Sequence, residues 1–334
     1  MNKRSIALLL LAAPPALLYA SLFIGRFDVS PVEVARILGA HIFPIVPSWS
    51  KSAETIVLQI RLPRALMAMC VGAGLSISGA AYQGMFRNPL VSTDILGVTA
   101  ASGFGAALAL LLSRNAFELQ LIAFASGLAG VALTYRLARI YQTTPVLMLV
   151  LSGVVVGAFF SASLSAIKYL ADPESKLPAI TYWLLGSLNA ASIKGLIVVL
   201  PPIVAGSLGL LLVRWKLNVL TMGDEEARTL GIETEWLKGF IIVCTTLITA
   251  AAVSVCGMVG WIGLVIPHVG RMLVGPDHRA LLPATLSIGA CYLLIVDDIA
   301  RTASPGEIPL GILTAIIGAP FFAYLLRRTR GTWH

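Results

Sequence analysis

The sequence predicts an all-α integral membrane protein of about ten transmembrane helices, folded as a single domain over residues 1–334. Of its 334 residues, 57% are hydrophobic and 12% are charged, with a mean hydropathy of +0.88. Soluble domains carry roughly 25% charged residues. Apolar stretches of spanning length recur along the whole chain, with no segment between them resembling a folded soluble domain. In hydrocarbon every backbone N–H and C=O must be paired internally, so these stretches are helices.

The first, residues 5–24, follows the basic tip Lys3-Arg4 and resembles a signal peptide, but it is long enough to span and is read as a retained helix. Further spans are expected near 62–82, 95–112, 117–137, 145–169, 191–213, 238–258, 280–300 and 308–327. A short tenth at 259–275 is interrupted by Pro267. After the first span, Ser30-Pro31 forms an N-cap and N1 pair for a surface helix carrying Val32, Ala35 and Leu38 at helical spacing. The stretch 172–192 is apolar but too short to span, and its Tyr182-Trp183 pair suits the headgroup level; it reads as a half-helix folded on the bundle. Gly153 and Gly157 make a GxxxG whose face Ser161 and Ser165 continue, which serves either close helix packing or a smooth wall lining a path.

Ten spans put both termini on one side. With the N-terminus inside, 14 of the 24 Lys and Arg residues fall in inside segments, the cytoplasmic excess expected of membrane proteins. The same excess accounts for the net charge of +8 without invoking nucleic acid. The cysteines (Cys70, Cys244, Cys256, Cys291) sit in apolar stretches without metal-ligand spacing and read as small core residues, so no metal site is expected. No phosphate-cradling G-x-x-x-x-G-K-[ST] motif, HExxH or nucleophile elbow occurs. Ionisable groups such as Asp94, Glu118, Lys168, Asp297, Asp298 and Arg301 lie at span ends, which disfavours an ion-coupled secondary transporter. His268, beside Pro267, reads as a helix-end histidine rather than a catalytic one. A passive pathway driven by a separate motor is the economical reading.

One interlude stands out. In GDEEARTLGIETEWLKG (223–239), five of the chain's 16 carboxylates fall between Asp224 and Glu235. Asp224 is suited to cap a short helix with Glu225 and Glu226 in its first turn and Arg228 near its end. Gly231 is a C-terminal stop, Ala227 and Leu230 form a small apolar face, and Thr234 is suited to cap the next helix. On residues alone this is either a solvated connection or a docking element.

The blocks RLPRALMAMCVGAGLSISGAAYQGMFRNPL (61–90), ILGVTAASGFG (95–105), YWLLGSL (182–188), GDEEARTLGI (223–232), GWIGLVIPHVGRMLVGPDHRALLP (260–283) and EIPLGILTAIIGAPFFAYLL (307–326) together resemble the FecCD-type permeases. These are membrane subunits of ATP-driven importers for iron–siderophore complexes, heme and vitamin B12. The resemblance implies the type II ABC importer permease fold in the cell membrane, as a homodimer around one central pathway. It implies two ATPase subunits that use ATP and Mg2+ on the cytoplasmic side, and a substrate-binding protein outside; this chain itself binds no cofactor and is not an enzyme. It implies an inverted relation between helices two to five and seven to ten, a repeat that the residues themselves do not show.

It makes the segment at about 220–237 a cytoplasmic coupling helix, with Ala227, Leu230 and Gly231 (after Gly223) as packing contacts and Asp224 and Glu226 as polar ones. It makes Arg61, Arg64 and Arg301 docking points for the binding protein. It places the cytoplasmic gate at Asn88, Leu90, Thr143 and Thr144, and lines the pathway with the helix of Gly153, Gly157 and Ser161. The expected cargo is a ferric siderophore or heme; cobalamin, or an oxyanion such as molybdate, is the alternative within the family.

Overall fold

A computed structural model describes residues 3–40, 42–44, 46–112, 115–139 and 143–328. Among them lie fourteen helices: α1 (Lys3–Phe23), α2 (Pro31–Gly39), α3 (Lys51–Met85), α4 (Val98–Leu112), α5 (Ala116–Ala138), α6 (Val146–Leu170), α7 (Lys176–Leu184), α8 (Ile193–Leu212), α9 (Arg214–Leu220), α10 (Asp224–Thr229), α11 (Thr234–Cys256), α12 (Ile262–Val274), α13 (His278–Ala303) and α14 (Leu310–Arg328). Seven are long and apolar enough to cross a membrane, and α4, α12 and α14 are shorter apolar helices. The ten expected spans are therefore the ten apolar helices. The bundle has a lower end, where α1 begins, and an upper end, where α1 finishes.

Burial sorts centre from periphery. Within their most apolar windows α3 is 78% and α11 72% buried, against 11% for α1 and 22% for both α5 and α6. The centre is packed through small residues. A Cβ on Gly79 of α3 would meet the Gly263 carbonyl of α12 at 1.9 Å, and one on Gly72 would meet the Gly289 carbonyl of α13 at 2.2 Å. The backbones touch there, which is how helices associate where no hydrophobic force acts between them.

Prolines leave carbonyls that must be satisfied elsewhere. Pro14 in α1 cannot donate to Leu10, and the freed Leu10 carbonyl accepts the Ser287 hydroxyl of α13 at 2.5 Å. Pro63 similarly disturbs the start of the second span. The chain there is π-helical over Ile56–Arg61, with Leu62 N–H bonded to the Val57 carbonyl five residues back. In α geometry the Pro63 ring would clash with the carbonyl of Gln59. The second span therefore begins at Lys51, eleven residues before the apolar run at 62 that marked it in the sequence.

The surface helix is α2, capped by Ser30 accepting from Glu33 N–H at 3.2 Å. The half-helix is α7, whose Ile180 and Leu184 pack with Ala107, Leu164 and Ile167. After α11 the chain runs non-helically to Trp261, which adopts φ 70°. The end of α11 is tied to the loop after α7 through Ser187 N–H on the Cys256 carbonyl at 2.9 Å. The loop after α7 in turn receives the start of α14, with Leu310 N–H on the Gly186 carbonyl (2.9 Å) and Gly311 N–H on the Leu185 carbonyl (3.0 Å). Irregular backbone is tolerated within a membrane where protein encloses it in this way.

The glycine contacts set a prediction. Gly79→Val should destroy the α3–α12 contact and yield aggregated protein on size exclusion in detergent. Gly260→Ala, with open space around its Cβ, should melt within about 0.5 kcal/mol of the parent, as surface substitutions do.

Candidate functional site

The lower end gathers the acid-rich interlude into a bonded unit. Gly223 precedes α10 with φ 137°, and a Cβ there would lie 2.0 Å from Glu226 Oε2. Asp224 is the first helical residue rather than its cap, and its carboxylate turns to Lys238 of α11, Oδ2 to Nζ 3.0 Å. Thr234 is likewise not a cap: its hydroxyl accepts from Arg228 Nε at 3.0 Å. Arg228 also reaches Glu235 Oε1 at 3.3 Å. Gly231, at φ 78°, closes the turn with open space around it.

Ala227 corrects an expectation. It is fully buried against its own chain, so it anchors α10 and cannot be a contact for a partner. Leu230 is 61% exposed and, with Met222 before the helix and Trp236 after it, is one of the apolar side chains this segment presents outward. Near it Trp236 stacks on Phe240 at 5.1 Å, and Lys216 lies over the Trp236 ring at 5.5 Å, an aromatic–cation grouping of the kind that suits a membrane interface.

The two expected gate elements are at this same end. Arg87, at φ 51°, ends α3. Asn88 Oδ1 then accepts Leu90 N–H at 2.9 Å, a local turn that leaves Leu90 half-exposed. The turn is held from behind by Gln83, which donates to the Val91 and Gly263 carbonyls and accepts from Arg271 Nη2 at 2.6 Å. Thr143 is exposed, whereas Thr144 is buried and bound to α11. Thr144 is therefore an anchor and not a side chain facing a pathway. Nearby, Asp277 caps α13 through Arg279 N–H at 2.9 Å and receives the Asn218 amide, and those bonds hold its carboxyl below the usual carboxylate range.

The GxxxG of α6 resolves into packing. A Cβ on Gly153 would sit 2.0 Å from the Ile95 carbonyl, and Gly157 abuts Gly97. These glycines seat α6 on the 3-10 turn Thr93–Leu96 and do not line an open path. Ser161 is exposed, on a wide face with Leu151, Val154, Ala158 and Ser165.

At the upper end the three arginines are not free for docking. Arg61 is buried, its Nη1 on the Leu22 carbonyl (2.9 Å) and its Nη2 on the Phe27 carbonyl (2.6 Å). Arg64 is buried among acids: Nε and Nη2 both reach Asp297 at 2.9 Å, and Nη1 and Nη2 reach Glu307 at 3.1 and 3.0 Å. Its Nη1 also reaches Asn189 Oδ1 at 3.0 Å. Arg301 pairs with Asp298 at 2.6 Å and with Ser21 on α1. Internal geometry consumes these donors, which tie α1, α3, α13 and three loops together. Nothing in the local sequence around Asp297 and Glu307 marks either as a partner of Arg64; the fold brings them together.

Ten apolar helices, with the charged clusters at the bundle ends, define a multi-pass membrane protein. The comparisons with known proteins agree. A family model described as the FecCD transport family matches residues 9–328. The molybdate import system permease protein MolB of Haemophilus influenzae is 39% identical over 310 residues, covering 93% of this chain and 91% of that one. A probable iron chelatin transport system permease protein of Helicobacter pylori is 42% identical over 280 residues, 84% of this chain and 85% of that one. A solved structure described as an inward-facing conformation of a metal-chelate type ABC transporter superposes with a TM-score of 0.87 at 38% identity, covering 97% of this chain and 99% of the other. The chain belongs to the FecCD transport family, whose members are permease subunits of ABC transporters.

Arg64 supplies a test of the upper cluster. Removing one partner of a buried ion pair costs about 3–5 kcal/mol. Arg64→Met should therefore lower the melting temperature sharply. Arg301→Met, whose Asp298 partner is more accessible, should cost less; equal melting curves for the two variants would contradict this ranking.

Proposed function

We propose that this chain is the membrane subunit of an importer that carries a metal chelate, a ferric siderophore or heme, delivered by an extracytoplasmic binding protein and driven by partner ATPases. Two copies enclose the pathway, with the open α6 face turned toward it. The lower end is cytoplasmic, as are both termini, and 14 of 24 basic residues fall on that side in this orientation. The observation that carries the motor contact is Leu230: an exposed apolar side chain at the end of a short helix that ion pairs tie to α11. Gly231 leaves room beside it, and Asp224 and Glu226 give the helix a negative rim.

The cargo reading is supported by the iron chelatin relative and the metal-chelate transporter structure. A second reading, an oxyanion, is favoured by the molybdate permease relative, which matches 93% of this chain. A relative in Halobacterium salinarum is named as a cobalamin import permease, at 41% identity over 86% of this chain. At the upper end the arginine clusters would hold the shape of a docking platform rather than touch the binding protein themselves.

The complex reconstituted in vesicles with its ATPase and binding protein should accumulate labelled ferric chelate when ATP is present, undisturbed by protonophores. Accumulation of molybdate or cobalamin instead would replace the cargo reading. Uptake that follows an ion gradient without ATP would overturn the importer. Leu230→Arg should cut uptake at least tenfold while the permease still folds. A cysteine placed at Thr229 should react with impermeant reagents only from the cytoplasmic side.

A further inference from the structure

A buried lysine stands where the two mobile parts of such a machine would have to be joined. Lys238, in the first turns of α11, is 1% exposed and spends each of its three N–H donors on a different element. It reaches Asp224 Oδ2 on α10 at 3.0 Å, Glu235 Oε1 on its own helix at 2.8 Å, and the Thr144 carbonyl in the turn before α6 at 3.0 Å. Glu235 completes the clamp from the other side. Its Oε2 accepts Thr144 N–H at 2.8 Å and also the Thr144 hydroxyl. Its Oε1 accepts from Arg228 of α10 at 3.3 Å.

Every polar group of Thr144 is thus given to the first turns of α11, and α11 is joined to α10 by two ion pairs. Pro145 follows as the N-cap of α6, the helix with the wide exposed face. Thr144 makes no bond to α6 through its own amide or hydroxyl that could compete with this clamp. The arrangement is costly unless every partner is present, since a buried ammonium needs all of its hydrogen bonds satisfied. A connecting loop with no mechanical duty has no need of it.

We propose that Lys238 and Glu235 form a joint that passes displacement of α10 to the base of α6. They are positioning residues: they touch neither motor nor cargo, but hold the Thr144 turn to the coupling segment so that the two move as one body. The proposal rests on the reading of α10 as the motor contact and goes beyond it by naming the route into the pathway. Without the joint, α10 would still be moved by the ATPases while α6 stayed behind.

The test uses the full complex in vesicles and reads transport per ATP hydrolysed. Thr144→Val removes the hydroxyl bond alone and keeps both backbone bonds, so it should fold and lower the ratio about threefold, with Thr144→Ser restoring it. Lys238→Met should lower the ratio at least tenfold while nucleotide-dependent hydrolysis persists. Spin labels at exposed Leu147, at the base of α6, add a readout that mere stabilisation would not move. In the parent the distance between the two labelled copies should change when ATP binds; in Thr144→Val the change should shrink, although a label at Leu230 still responds.

Parent-like ratios and parent-like Leu147 distances in Thr144→Val and Lys238→Met would overturn the joint. If Lys238→Met does not fold, Thr144→Val alone decides. Should Leu230→Arg uncouple while both joint variants stay coupled, the joint is wrong and the motor contact stands. Should Leu230→Arg stay coupled as well, the motor contact itself is wrong.

Discussion

Hydrocarbon offers no hydrogen-bond partner, and this constraint shapes the chain at every scale. A carbonyl or ammonium left unpaired in a membrane costs several kcal/mol, and three departures from regular helix show how that cost is met. The Leu10 carbonyl freed by Pro14 takes a hydroxyl from α13. The chain ahead of Pro63 opens into a π turn. The non-helical stretch after α11 is enclosed by the loop after α7 and the start of α14. The same constraint drives charge to the bundle ends, where the most buried acids and bases form two ion-paired clusters.

These clusters give the two ends different characters. The upper one fixes: Arg64 alone gathers Asp297, Glu307 and Asn189, and Arg301 pins α1 to α13. These arginines spend their donors on neighbouring helices and loops at that end. The lower one connects: Lys238 and Glu235 join a surface helix to the turn before α6, and Leu230 and Glu226 remain exposed.

Much of this was legible in the residues, and the misses share a cause. The ten apolar helices, the Ser30 cap and the half-helix at 176–184 follow from local composition and turn chemistry, which depend on near neighbours. Ala227 and Leu230 looked equivalent, three apart on one face, yet one is buried and the other exposed. That difference lies in the elements packed against the segment, not in the segment itself. Gly153 and Gly157 left packing and path both open; contact with Ile95 and Gly97 decides for packing. The arginines at 61, 64 and 301 looked free because their partners lie up to 280 residues away.

What the sequence alone determined is the solvent. Its composition makes lipid the environment, lipid makes helices obligatory, and the apolar runs count and order them. The blocks along the chain identify the family as well, because side-chain identity at spaced positions survives without any knowledge of shape. Only the tertiary structure decided which charges face outward and which are spent inside. Pairing depends on distances between elements remote in sequence, and no local pattern encodes where Asp297 will stand relative to Arg64, or Thr144 relative to Lys238.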